Sequence, residues 1–130
     1  MSETTTDITP DQITETIDVY IASLSELDAD KRSAMIERAW VAEGTFLDPL
    51  LDVKGHSALG EIALLVDQHY PGYGFRRVTA VDVHHDQVRF GWELVGPSNA
   101  VAVAGIDVGQ VAADGRLRSI VGFFGDLTPA

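Results

Sequence analysis

The sequence predicts an α+β fold, a cone-shaped barrel in which three N-terminal helices roof a highly curved antiparallel sheet. Two observations carry this. Apolar residues recur with a period near 3.6 through the first half and with a period of 2 from Phe75 onward. Glycines also interrupt the later strands at Gly105, Gly109, Gly122 and Gly125, where a sheet bends sharply or leaves space above it.

The elements follow in order. Residues 1–8 are polar, lack an apolar period and read as a disordered tail. Thr9 as N-cap, Pro10 in the first turn and Gln12 three residues past the cap start a helix. Its inward stripe is Ile13, Ile17, Tyr20, Ile21 and Leu24. SELDAD is a turn that ends in an N-cap, Asp28 or Asp30. A second helix turns Met35, Ile36, Ala39 and Trp40 inward and stops near Gly44. The stretch TFLDP at 45–49 is a short strand and its exit, because Pro49 forbids helix there. A third helix spans about 57–70 and ends at PGYG. Strands follow at 75–84, 88–95, 100–111 and 117–125, with turns at HHDQ, GPSN and ADGR. One domain, 9–126, accounts for the pattern, and 127–130 forms a short C-terminal tail.

Composition narrows the function classes. Nine basic against twenty acidic residues, a net charge of −11, leave little from which to build a phosphate-binding patch, so no nucleic-acid partner is expected. No apolar run approaches the roughly 20 residues that span a bilayer, so no membrane partner is expected. MSETTTDITP has no basic or apolar leader segment, and there is no cysteine for a disulfide or thiolate chemistry. A cytoplasmic protein is the expectation.

Two carboxylates stand in apolar runs where uncompensated burial is expensive: Asp48 in TFLDP and Asp107 in AVAVAGIDVG. Each has two readings. Asp48 is a pocket residue or an Asp-Pro turn former; Asp107 is a pocket residue or a partner for a backbone amide at a bulge. Tyr20 lies on the inward helical stripe, where a tyrosine packs into the core with its hydroxyl satisfied or faces a pocket. The adjacent His84 and His85 point to opposite strand faces and share no ion, and His56 has a structural role. No metal and no cofactor are expected.

The chain resembles the nuclear transport factor 2-like superfamily, which includes ketosteroid isomerase and SnoaL-type cyclases. VYIASL, TFLDP, GIDVG and DGRLRSIVGFFG carry the resemblance over about residues 9–126. It implies that Tyr20 holds an oxyanion, that Asp48 is the general base, and that Asp107 is a protonated acid beside Tyr20. Trp40, Phe46, His69, Trp92 and Phe124 would then shape an apolar ligand pocket. Two positions depart from the ketosteroid isomerase pattern: Ala63 stands where a supporting tyrosine is expected, and Trp92 replaces a phenylalanine. A dehydratase-like site would require paired histidines, for which only His69 offers itself. An epoxide hydrolase-like site would require an arginine, and Arg89 lies on the wrong face.

The implied activity is cofactor-free proton transfer alpha to a carbonyl in an apolar small molecule. The alternative is a non-catalytic ligand-binding or scaffold domain of the same fold. The resemblance also implies a homodimer through the outer sheet face, which Ala102, Ala104, Ile106 and Val108 would form.

Overall fold

A computed structural model describes residues 8–130. The proposed tail at 1–8 therefore lies outside the described residues except for Ile8, which packs onto the core beside Gly115 in the ADGR turn. Helix α1 spans Pro10–Ser23, and Thr9 and Gln12 close the expected capping box. Helix α2 spans Ala29–Ala39 with Asp28 as its cap. Helix α3 spans His56–His69. The strands are β1 Trp40–Leu47, β2 Asp52–Lys54, β3 Gly74–Arg77, β4 Asp82–His84, β5 Gln87–Val95, β6 Val101–Val111 and β7 Leu117–Phe124.

The seven strands form one curved, unclosed sheet in the order β2-β1-β7-β6-β5-β3, with β4 also paired to β5. Every pairing is antiparallel except β1 with β7, which run parallel, so the sheet is mixed. Helix α2 delivers the chain to β1 from the end opposite to that used by the hairpins, and this reverses that one pair.

Two expected elements are corrected. The second helix does not run to Gly44; it ends at Ala39, and Trp40 is already extended at φ −122°, ψ 142°. Pairing with β7 overrides helical propensity there, and Gly44 is a mid-strand residue over which the Trp40 ring lies. A side chain at Gly44 would collide with that ring, which is why glycine is needed. The strand expected at 75–84 is two strands. Between them Thr79 crosses over Gly91 and its hydroxyl accepts the Gly91 N–H at 2.8 Å, replacing a ladder bond with a side-chain bond.

The core lies between the helices and the concave face. Ile17, Tyr20, Trp40, Leu117 and Ile120 are almost fully buried there. From β5, Val88, Phe90, Trp92 and Leu94 point inward as their parity requires. In β6 the inner set is Gly105, Asp107 and Gly109, whereas Ala102, Ala104, Ile106 and Val108 are exposed. That strand is covered on one side only within this chain, although both its parities are apolar. Helix α1 is tied to β3 by paired bonds from Arg77 to Asp18 at 2.8 and 3.0 Å and by the Ser25 hydroxyl, which accepts the Phe75 N–H at 3.1 Å.

Candidate functional site

Asp107 sits in the middle of the sheet, opposite Phe90 on β5 and Gly122 on β7. It is 3% exposed, so both carboxyl oxygens need partners. The Tyr20 hydroxyl is 2.9 Å from Oδ2, and the Trp92 indole N–H donates to Oδ1 at 3.0 Å. The inward stripe of α1 brings Tyr20 here. Its ring is fixed edge-on by Trp40 and Phe90 at centroid distances of 5.6 and 6.4 Å.

Burial pushes the Asp107 carboxyl up to about 7. The Tyr20 and Trp92 hydrogen bonds pull it down, and the nearby Asp48 charge adds a smaller push upward. Burial, and after it the Asp107 charge, raise the Tyr20 hydroxyl well above its ordinary value. Tyr20 is therefore a proton donor in hydrogen bonds throughout the physiological range.

Asp48 follows β1 and is half-buried. Its Oδ1 accepts the backbone N–H groups of Leu50 and Leu51, both at 2.8 Å, which shapes the turn around Pro49. Its Oδ2 takes none of the hydrogen bonds found among the described residues. The turn-former reading of Asp48 therefore holds for Oδ1, while Asp48 also lines the cavity.

Gly122 lies between the two carboxylates. A methyl group there would lie 2.8 Å from Asp107 Oδ1 and 3.4 Å from Asp48 Cβ. Gly122→Ala is therefore expected to push Asp107 off its donors and to cost about 1–3 kcal/mol of unfolding free energy in urea titrations. An unchanged urea midpoint would mean that the carboxylates move aside freely.

These groups face a cavity of about 770 Å³ between α1, α3 and the sheet. Tyr20, Phe46, Asp48, His69, Trp92, Asp107 and Phe124 all line it. Trp40 does not: its ring is buried behind Tyr20, and it supports that residue without forming the wall, so its expected ligand contact is corrected. Leu51, Ile62, Phe75 and Val103 also form the wall and were not anticipated. Phe75 was legible as the first residue of an alternating run; the others needed the packing.

His69, at the end of α3, is exposed and sits at the cavity's rim. Its Nδ1 lies 2.9 Å from the Leu65 carbonyl, which can only accept, so the ring proton belongs on Nδ1. Ala63 is buried on α3 and provides no hydroxyl. Arg89 lies on the outer face, paired with Asp82 at 2.8 Å. His56 Nε2 lies 3.0 and 3.1 Å from the Trp40 and Val41 carbonyls, and this pins the start of β1. His84 and His85 do not point apart. His85 leaves the strand at φ 53°, and the two Nδ1 atoms approach to 3.1 Å. Among the described residues no three His, Asp or Glu side chains gather as a metal site, and no helix is long and apolar enough to cross a membrane.

The three helices, the curved sheet and the cavity between them define the nuclear transport factor 2-like fold in its SnoaL-like and ketosteroid isomerase-like form. The chain is similar to an Agrobacterium tumefaciens C58 structure described as a candidate isomerase of the SnoaL-like family. Identity there is 28% and the TM-score 0.82, over 89% of this chain and 99% of that one. It is also similar to a candidate SnoaL-like polyketide cyclase from Jannaschia sp. CCS1, at 16% identity and TM-score 0.70, over 95% and 91% of the chains. A Catenulispora acidiphila protein of ketosteroid isomerase-like fold, in complex with trimethylamine, aligns at 12% identity and TM-score 0.69 over 93% and 88%. No protein-family profile matches the sequence, and no curated protein does.

Proposed function

We propose that the protein is a cofactor-independent enzyme that moves a proton alpha to the carbonyl of an apolar compound. The observation that carries this reading is the convergence of Tyr20, Asp107 and Asp48 on one apolar cavity, with Asp107 fully enclosed. Asp48 Oδ2 takes the proton from the alpha carbon. The C–H electron pair forms a carbon–carbon double bond, and the carbonyl oxygen becomes an enolate oxygen. Tyr20 O–H donates to that oxygen, where charge develops in a water-poor site. Asp48 then returns the proton to the same carbon or to a conjugated one.

The donors work in series. With both its oxygens engaged, Asp107 acts on the ligand through Tyr20. The Tyr20 hydroxyl donates to Asp107 Oδ2 in the structure. In the proposed scheme a neutral Asp107 reverses that bond, donating to the Tyr20 oxygen so that the Tyr20 hydrogen is free to bond the enolate. The description of the Agrobacterium protein as a candidate isomerase agrees with this chemistry.

The second reading is a ligand-binding domain without chemistry, favoured by the use of Asp48 Oδ1 as a turn brace. The two are separated with 1-tetralone, an apolar bicyclic ketone that fits a cavity of this size. In deuterated buffer the enzyme is expected to exchange the ketone's alpha protons above the buffer rate, as followed by NMR. Saturable binding with no exchange above buffer would support the second reading.

The same proposal includes a cytoplasmic homodimer. On the outer sheet face Ile106 and Val108 are 45% and 39% exposed, and Phe123, opposite Ile106, is 61% exposed. Ala102, Ala104 and Val121 continue the stripe, which is larger than the scattered apolar residues of a typical monomer surface. Ion pairs of Arg76 with Glu93 and of Arg89 with Asp82 run alongside it. A second copy of the chain is the occupant that an apolar face with a charged border suits. Phe123→Asp is expected to turn a dimer into a monomer in sedimentation velocity; a wild-type monomer at micromolar concentration would remove the proposal.

A further inference from the structure

Trp92 carries a polar group on the cavity wall to which the proton-transfer scheme gives no step of its own. Its ring occupies a built slot. Gly105 lies opposite it on β6, and a side chain there would collide with the indole, reaching within 2.8 Å of Cε2. Phe75 and Phe124 hold it edge-on at centroid distances of 5.4 and 5.9 Å. The slot aims the indole N–H at Asp107 Oδ1, 3.0 Å away. A phenylalanine would fill much of the same wall without that N–H.

An indole N–H can only donate, and the carbonyl oxygen of a neutral carboxyl is a better acceptor than its hydroxyl oxygen. A neutral Asp107 therefore keeps Oδ1 as the carbonyl and carries its proton on Oδ2, 2.9 Å from the Tyr20 oxygen. Tyr20 then accepts that proton's hydrogen bond, and its own hydrogen turns toward the cavity. We infer that Trp92 is a positioning residue: its N–H selects which Asp107 oxygen is protonated and so aims the Tyr20 hydroxyl at the ligand. This rests on the acid–base reading of the cavity but has its own readout.

That readout is the carbonyl stretch of bound 1-tetralone, recorded on both sides of neutrality for wild type, Tyr20→Phe and Trp92→Phe. In wild type a single band, shifted by the Tyr20 hydrogen bond, is expected at low pH. It is lost as Asp107 ionises and takes back the Tyr20 hydrogen. Without the indole N–H the Asp107 proton divides between its two oxygens, so Trp92→Phe is expected to show two bands at low pH. The pH midpoint also moves upward, by about one unit, because a donor that stabilised the carboxylate is gone. A single band with an unmoved midpoint in Trp92→Phe overturns the inference. Benzothienylalanine at position 92 repeats the test at nearly unchanged ring size, with sulfur in place of N–H, and meets the case in which phenylalanine lets the wall collapse. A wild-type band identical to that of Tyr20→Phe would remove both Tyr20 as the donor and the role given to Trp92. Absence of alpha exchange alone would remove only the catalytic step.

Discussion

Asp48→Asn is expected to slow alpha-proton exchange of 1-tetralone by about a hundred- to ten-thousand-fold, the contribution typical of a positioned general base. Asparagine is the informative replacement because Asp48 has two tasks. Its Oδ1 accepts the N–H groups of Leu50 and Leu51, and an amide oxygen can keep both bonds. Its Oδ2 is the proposed base, and an amide NH2 cannot take a proton. Asp48→Ala removes both functions and releases the turn, so a loss of activity in that variant would not identify the base. Thermal unfolding of Asp48→Asn should match wild type, and 1-tetralone should still bind, since the proposal gives the ketone its contacts with the apolar wall and Tyr20. Exchange by Asp48→Asn at the wild-type rate would move the base elsewhere, and His69 at the rim would be the next group to test.

The helices, the later hairpins and the inward parity of β5 were legible in the sequence because local signals decide them. The Thr9–Gln12 capping box, the Asp28 cap and the turn at ADGR act over a few residues, and the structure repeats them. What was misread depends on distant partners. Trp40 looks like the next step of a helical stripe, and only its parallel pairing with Leu117 makes it a strand residue. The break at 78–81 hides inside an unbroken alternation because Thr79 substitutes a side-chain bond for a ladder bond. Among the candidate site residues, Tyr20, Asp48 and Asp107 stood out because each is a polar group in an apolar run, a conflict that burial alone does not resolve. Trp92 was named as pocket wall, but its bond to Asp107 was not legible, since an aromatic residue on an inward strand face reads as apolar lining whether or not its N–H has a partner. Trp40 was placed on the wall through the resemblance, and it lies one layer behind, packed edge-on against Tyr20.

Asp107 makes folding stability depend on pH in a direction opposite to that of most carboxylates. The folded chain holds the Asp107 proton up to about pH 7, whereas an unfolded one releases it near the ordinary value of 3.8. Between those limits the folded state binds one more proton than the unfolded state, so unfolding free energy falls as pH rises through this window and then levels off above it. At full size the effect is about 4 kcal/mol, an upper figure for one enclosed carboxyl. Asp107→Asn removes the titration and keeps the neutral pattern, because its amide oxygen accepts from Trp92 and its NH2 donates to the Tyr20 oxygen. The variant is therefore expected to match wild type near pH 4 and to exceed it in urea stability at pH 8. Asp86, lowered chiefly by the Gln87 side-chain amide, and Asp114, lowered chiefly by the Arg116 backbone N–H, act in the opposite sense at acid pH. They are common to both proteins and cancel in the comparison. Parallel urea midpoints for wild type and Asp107→Asn across this range would mean that water reaches Asp107, and the dry donor chain through Tyr20 would go with it.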